Sequence, residues 1–213
     1  MPPRLCTMSD SLELLDYRRR VGDMYARVRH GRLDPAARCI EFRRARDELF
    51  RTHPQSALTE PQKARFQGLR YYAYDAEWRF VVPLDPVVEL STLDVPLRDD
   101  GLTRLRRIGT VRFSVRGTPV GLSVFWVEGY GGGIFLPYRD LTSRDATYEG
   151  GRYLLDTIKG ADLGGEDGRL IIDFNYAYNP SCAYNPPWDC PLAPPENVLP
   201  VAIAAGEQRF PHD

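Results

Sequence analysis

The apolar residues of this chain change their spacing near Leu69, and this change limits the folds open to it. Before Leu69 they recur at steps of three and four, as in Leu14, Tyr17 and Val21. After it they alternate with polar residues, as in 111–115. Steps of three and four mark one face of a helix, and a step of two marks one face of a strand. The sequence therefore predicts an α+β fold with helices first and strands afterwards.

Three helices are predicted in the first 68 residues. Asp34 followed by Pro35 is an N-cap with proline at the first helical position, which starts the second helix. This helix is expected to turn Ile40, Ala45 and Leu49 toward the core. The three predicted spans are 10–30, 34–53 and 59–66.

The rest of the chain is predicted to form short antiparallel strands. The segment from Arg116 to Pro119 joins two of them as a β-hairpin with Gly117 at the first central position of its turn. The proline-rich stretch 179–200 lacks the N–H donors for regular pairing. The predicted strands lie at 78–84, 87–92, 111–115, 120–126, 134–136, 152–156, 170–174 and 201–204.

Short strands without intervening helices favour a small antiparallel β-barrel or a strongly curved sheet. The helical segment 1–68 is expected to pack against the barrel domain 69–213, on its outside or across one end. A chain of 213 residues is long enough for one such unit with a single sizeable core.

The charge of the chain is balanced overall but uneven along its length. The formal net charge is −1, which gives no general attraction to nucleic acid or membrane surfaces. Residues 1–53 hold 12 Arg against 8 acidic residues, whereas 117–213 hold 6 basic against 13 acidic. The arginine runs 18–20 and 43–46 are interspersed with acidic residues, so they are interpreted as solvated helix faces.

The cysteines and the N-terminus favour a cytoplasmic protein. No secretory signal and no apolar run of membrane-spanning length is recognisable. Four cysteines do not make a disulfide framework in a chain of this size, although Cys182 and Cys190 could bridge in an oxidising environment. No metal site is predicted, because these two cysteines stand eight residues apart and the three histidines lie elsewhere in the sequence.

The stretch 135–207 resembles a bacterial and archaeal family catalogued as domain of unknown function 1684. The motifs that carry the resemblance are FLPYRDLT, TYEGGRYL, DFNYAYNPSCAYN and CPLAPPENVLPVAIAAGE, with a looser match over 56–82. Tyr138 is one departure, since the family more often has Phe there. The resemblance covers roughly two-thirds of the chain and implies no activity, substrate or cofactor, because none is established for the family.

This stretch also holds the candidate ligand-binding residues. Arg152 is the candidate anchor for an anion, with Asp173 and Asn175 as orienting groups. A structural alternative is an Arg152–Asp173 pair that joins two strands. Five further residues complete the candidate set with hydroxyl, carboxyl, ring or amide groups: Asp140, Thr142, Tyr148, Tyr178 and Asn179. Each has a structural alternative, as a turn cap or in loop packing.

Three functions fit these patterns. The leading hypothesis is a pocket for a small anionic or polar ligand, with catalysis undetermined. A second is an FMN-binding split barrel, in which the basic and hydroxyl residues would hold the flavin phosphate; this rests on analogy of fold alone. The third is a non-enzymatic protein-interaction module that uses the Pro- and Tyr-rich surface. A carboxylate pair of Glu196 and Glu207 for acid–base chemistry is a weaker possibility.

Overall fold

The computed structural model describes residues 8–96 and 101–211, and its first three elements are helices. Helix α1 spans Met8–His30, α2 spans Pro35–Thr52 and α3 spans Glu60–Arg65. The three predicted helices are therefore present close to their predicted bounds. No helix in the described part of the chain combines the length and the apolarity needed to cross a membrane.

The starts of α2 and α3 show why the helices begin where they do. The Asp34 carboxylate accepts hydrogen bonds from the N–H groups of Ala36 and Ala37, 3.0 and 3.1 Å away. Thr59 and Gln62 cap α3 reciprocally, each side chain meeting the other residue's backbone. These local bonds satisfy helix N–H groups that have no partner inside the helix, so the sequence alone places both starts.

The strands form two antiparallel sheets. A five-stranded sheet has the order β2-β3-β4-β5-β6, and a three-stranded sheet has the order β1-β8-β7. The described residues contain no closed barrel, so only the α+β class of the prediction is confirmed. The strand bounds are Arg79–Val82 (β1), Asp85–Pro96 (β2), Leu102–Val115 (β3), Thr118–Val127 (β4), Gly133–Tyr138 (β5), Arg152–Asp156 (β6), Gly165–Glu166 (β7) and Arg169–Asp173 (β8).

The hairpin between β3 and β4 is present, but its turn differs from the predicted one. Val115 pairs with Thr118, which leaves Arg116 and Gly117 as the two central residues. Their φ angles are 47° and 85°. Two positive φ angles define a type I′ turn, in which glycine favours the second central position. The prediction that Gly117 takes the first position was wrong.

The main hydrophobic core lies between the helices and both sheets. It combines Met24 and Tyr25 of α1 and Phe42 of α2 with buried strand residues such as Leu122 and Ile172. Ile40 of α2 was predicted to face this core but is 46% exposed. Its neighbour Cys39 faces the core instead and is fully buried there. The packing of α2 against the rest of the fold decides which of its faces is buried.

The segment after the proline-rich stretch is not the predicted strand 201–204. It forms no strand ladder with either sheet. Leu141 donates its N–H to the carbonyl of Val201 (3.1 Å), and the Ile203 carbonyl accepts a hydrogen bond from the Arg152 side chain (3.0 Å). The prediction was wrong because a single backbone N–H and the Arg152 side chain replace the neighbouring strand that a β-strand requires.

Candidate binding site

A buried ion pair joins α2 to the C-terminal segment. Arg46 Nη2 lies 3.2 Å from Glu207 Oε2, and both side chains are almost completely enclosed. Arg46 Nη2 also donates to the Tyr184 hydroxyl (3.0 Å), and that hydroxyl donates in turn to Glu207 Oε1. Asn179 completes the set with its backbone N–H on Oε2 (3.2 Å) and its Nδ2 on Oε1 (3.0 Å). We call these four residues the Arg46–Glu207 cluster.

Aromatic rings hold the guanidinium of Arg46. It lies over the Phe50 ring, with 4.6 Å from Cζ to the ring centroid, and over the Tyr178 ring at 5.1 Å. A guanidinium is attracted to ring faces and is less strongly hydrated than an ammonium group, which makes it the cation suited to such an apolar enclosure. The cluster is thus fixed by ring packing as well as by hydrogen bonds.

Gly206 determines where Glu207 can be placed. Its φ is 73°, and a Cβ at this position would lie 2.5 Å from the Phe174 carbonyl oxygen. Only glycine combines a positive φ with so close a backbone approach. The Gly206 carbonyl accepts a hydrogen bond from the Tyr72 N–H (3.0 Å), and Glu207 donates its N–H to the Ala177 carbonyl (2.9 Å). The Glu207 carboxylate is therefore carried on a rigid backbone.

The enclosure shifts the pKa values of Glu207 and Tyr184. Burial raises the pKa of Glu207 above its ordinary value, against the opposing influence of Arg46 and the hydrogen bonds from Tyr184 and Asn179. Burial and the nearby Glu207 carboxylate also raise the pKa of the Tyr184 hydroxyl, so Tyr184 acts as a hydrogen-bond donor. Tyr184 and Asn179 therefore hold the Glu207 carboxylate in a fixed orientation.

A cavity of about 70 Å³ adjoins the cluster. Its walls include the rings of Tyr17, Tyr153 and Tyr178, and Lys159, with a side chain about half exposed, marks its rim. Three polar atoms of lining residues are buried without a hydrogen-bond partner in the described part of the chain: the Tyr25 hydroxyl, Arg46 Nε and Asn179 Oδ1. We call this space the Arg46 cavity.

Arg152, the predicted anchor, serves a different set of partners. Its guanidinium is fully buried and donates to the backbone carbonyls of Ile203 (3.0 Å), Ala205 and Glu207 (3.2 Å). It also forms an ion pair with Asp140, with 2.9 Å between Nη2 and Oδ2. The predicted pairing with Asp173 was wrong, because the C-terminal segment and Asp140 occupy the guanidinium. Its role as a ligand anchor stays a prediction.

Asp173 and Asn175 form a local motif of their own. Asp173 Oδ1 accepts from the Asn175 backbone N–H (3.0 Å) and from its Nδ2 (2.9 Å). The Asn175 amide also exchanges two hydrogen bonds with the backbone of Asp75. Asp173 borders a separate cleft of about 150 Å³ beside Arg38 and Arg79. The structure thus places these two residues together but gives them no contact with Arg152.

Two of the remaining predicted residues border the Arg46 cavity, and two do not. Tyr178 and Asn179 border the Arg46 cavity. Thr142 instead bonds to Thr147 (2.9 Å between hydroxyl oxygens), and the Tyr148 hydroxyl lies 3.5 Å from Cys182 Sγ. With Arg152 engaged as well, the groups expected to hold a flavin phosphate already have partners within the protein, so their arrangement does not fit that role. Nor do residues 8–96 and 101–211 hold three His, Cys, Asp or Glu side chains grouped as metal ligands.

Sequence reasoning missed Arg46 and Tyr25 as site residues, and it gave Glu207 only a minor role. Arg46 was included among the solvated arginines, which is correct for the exposed Arg44 but wrong for Arg46. The overlooked signal is helical spacing, because Arg46 stands four residues after Phe42 and three before Leu49, both of which are buried. An arginine on the apolar face of a helix requires a buried acidic partner.

Comparison with known proteins gives the family. A family model described as "Protein of unknown function (DUF1684)" matches residues 64–208. The chain belongs to this family. It is also similar to the solution NMR structure of an uncharacterized protein from gene locus rrnAC0354 of Haloarcula marismortui, with 30% sequence identity and a TM-score of 0.56. That match covers 81% of this chain and 92% of the archaeal one. No functionally curated protein matches the chain.

The family match includes three of the four cluster residues. Residues 64–208 include Asn179, Tyr184 and Glu207, whereas Tyr25 and Arg46 lie on the helices that precede the matched region. The cavity is therefore built from the matched region on one side and from the N-terminal helices on the other.

Proposed function

We propose that this chain is a binding protein for a small polar or anionic molecule and that the head group of this ligand enters the Arg46 cavity. The observation that carries the proposal is that three residues lining one cavity, Tyr25, Arg46 and Asn179, each hold a buried polar atom without a hydrogen-bond partner in the described part of the chain. A buried polar atom without a partner costs about 1–3 kcal/mol. Three such atoms on residues that line one space favour a ligand that supplies the missing bonds.

The lining defines the chemistry of this head group. Arg46 Nε and the Tyr25 hydroxyl are donors, while Asn179 Oδ1 is an acceptor. A matching group offers one acceptor and one N–H or O–H donor, and the tyrosine rings favour a flat group. Because Glu207 already neutralises Arg46, a neutral amide fits better than a second carboxylate. The cavity has room for a group of only a few non-hydrogen atoms.

Acetamide and acetate are the probes that test this proposal. We expect millimolar acetamide to shift the NMR amide resonances of residues around the cavity and to raise the melting temperature, with a weaker effect from acetate. Tyr25→Phe removes one hydrogen bond while keeping the ring, so the acetamide Kd should rise about 2- to 10-fold, from a hydrogen bond worth about 0.5–1.5 kcal/mol.

Tyr138→Phe is the matched control. The Tyr138 hydroxyl is also buried without a partner in the described residues, but Tyr138 does not border the cavity. The acetamide Kd of this variant should equal that of the wild type. If neither probe binds, or if both tyrosine variants weaken binding equally, the Arg46 cavity is not the binding site and the proposal fails. Native mass spectrometry of freshly purified protein supplies an independent search for a bound molecule.

A further inference from the structure

The cleft that Asp173 borders shares no lining residue with the Arg46 cavity. It has a volume of about 150 Å³ and lies between the end of α1, the start of α2 and the three-stranded sheet. We call it the Arg38 cleft. Its charged lining residues are Arg29, Arg38, Arg79, Glu166 and Asp173.

Three of these five charges are already paired. Arg79 forms an ion pair with Glu166 across the lining itself. Arg29 Nη1 lies 3.7 Å from the Asp162 carboxylate, which belongs to a residue outside the lining. One arginine and one carboxylate of the cleft are therefore left without an ion pair in the part of the chain that the structure describes.

Arg38 is the unpaired cation. Its Nη1 donates to the carbonyl of Val28 (2.7 Å) and lies 3.5 Å from that of Gly31, so the guanidinium is held against the end of α1. Its Nε is buried and bonds to none of the described residues, and neither does Nη2. Nε and Nη2 form the side of a guanidinium that binds a carboxylate through two parallel hydrogen bonds.

Asp173 is the unpaired anion. It is only 4% exposed, and it caps the short turn Phe174–Tyr176 at the end of β8. Both hydrogen bonds to its carboxylate come from Asn175 and end on Oδ1, which leaves Oδ2 without a donor from residues 8–96 and 101–211. Arg79 and Arg43 act on Asp173 electrostatically, but neither forms an ion pair with it.

We propose that the Arg38 cleft is a second binding site, which takes a small amino acid with its carboxylate on Arg38 and its ammonium group on Asp173. A buried charge without a partner is costly, and a zwitterion supplies both missing partners without adding net charge to the cleft. A simple anion would leave Asp173 unpaired. Apolar side chains such as Val28 and Ile171 also line the cleft and suit the carbon chain of the ligand. The volume admits only a small molecule.

Four probes test this assignment of charges. Glycine and β-alanine carry both charges at two different spacings, whereas acetate and methylammonium carry one charge each. We expect the better of the two amino acids to bind about 10-fold or more tightly than either single-charge probe, because it gains a further hydrogen bond between charged groups. NMR titration gives each Kd from the amide resonances of 28–38 and 163–176.

Asp173→Asn removes the charge and keeps an oxygen for the cap. The Kd of the amino acid should rise about 10-fold in this variant, while acetate should bind at least as well as to the wild type. Asp75→Asn is the matched control, because Asp75 also caps a short turn, through the Glu77 N–H (2.9 Å), but does not line the cleft. Its amino-acid Kd should equal that of the wild type.

Arg38→Lys keeps the charge but loses the two parallel donors, so it should weaken binding of both the amino acid and acetate at these resonances. Circular dichroism checks its fold, and Asp173→Asn tests the site even if Arg38→Lys does not fold. Absence of binding, equal affinity for amino acids and acetate, or equal effects of the two aspartate variants would overturn the proposal. Amino-acid binding that Tyr25→Phe weakens and Asp173→Asn does not would place the ligand in the Arg46 cavity, which also overturns the second site.

Discussion

Replacing Arg152 by methionine should cost this protein a large share of its stability. Methionine has a similar length but no donors, so the variant removes the ion pair with Asp140 and the hydrogen bonds to the carbonyls of Ile203, Ala205 and Glu207. It also removes the contact between the guanidinium and the Tyr138 ring, which lie 5.1 Å apart. The substitution therefore isolates what the guanidinium contributes to the fold.

The magnitude follows from the burial of the pair. Removing one partner of a buried ion pair costs about 3–5 kcal/mol, because the other charge is left uncompensated. Asp140 Oδ1 keeps its hydrogen bonds from Thr142 (2.7 Å) and Ile203 (3.2 Å), whereas Oδ2 loses the guanidinium. The three carbonyls add to the loss unless the C-terminal segment moves into water. Against a typical total of about 5–15 kcal/mol, a loss of about 4 kcal/mol is a large fraction.

Urea unfolding monitored by tryptophan fluorescence measures this loss, since Trp78 is buried in the main core. Arg152→Lys keeps the charge but offers fewer donors, so we expect a smaller loss. It also serves as the measurable variant if Arg152→Met does not fold. Adding Asp140→Asn to Arg152→Met removes the uncompensated carboxylate, and the two changes should be non-additive by about 1–3 kcal/mol. Faster hydrogen exchange in 201–208 should accompany the loss.

A stability change below about 1 kcal/mol in Arg152→Met would refute the reasoning, because it falls outside the range for a broken buried ion pair. If such a stable variant also lost affinity for acetate, Arg152 would be a ligand anchor, as the sequence predicted. If Arg152→Met is strongly destabilised and the effect of Asp140→Asn simply adds to that loss, Asp140 is not the partner that matters.

Three further predictions concern the turn, the proline-rich stretch and the pH dependence. Gly117→Ala should cost about 1–2 kcal/mol in urea unfolding, since φ is 85° and no atom lies near the added methyl group; an unchanged midpoint would contradict the type I′ turn. Asn197→Ala should cost about 2 kcal/mol or more, because its buried amide bonds to both backbone groups of Ser123 and to the Pro137 carbonyl. A loss below about 0.5 kcal/mol, as for an ordinary surface change, would contradict this. Burial raises the pKa of Asp173 above its usual 3.8, so its contribution to stability is full below that value and is lost as pH rises through the folded pKa. Unfolding at several pH values should show a smaller decline in Asp173→Asn than in the wild type, because Glu207, whose pKa is also raised by burial, still contributes; equal pH profiles would contradict it.

The sequence predicted the helices well and the strands in outline, because both depend on short-range patterns. The caps at Asp34 and Thr59 act within three residues, so their effect is visible in any local window. The extended segment 201–204 shows the limit of this approach. Its apolar composition suits a strand, but whether it joins a sheet depends on a neighbouring strand, and here the Leu141 N–H and the Arg152 side chain bond to the carbonyls of Val201 and Ile203 instead.

The candidate site was predicted in part. Tyr178 and Asn179 do border the Arg46 cavity, and Arg152 is buried in a polar environment, as expected of conspicuous residues in an unusual stretch. Their partners were not predictable. Arg152 had several acidic candidates at similar distances along the chain, and sequence alone offers no physical criterion for choosing Asp140 over Asp173.

The sequence by itself determined the order of helices and strands and the family, since hydrophobic period, caps and long motifs are properties of the chain read locally. Only the tertiary structure decided which charges meet. Arg46 and Glu207 stand 161 residues apart, and they come together because α2 packs against the segment that Gly206 turns inward. Partner choice for a buried charge depends on which elements exclude water around it, and this exclusion exists only in the folded protein.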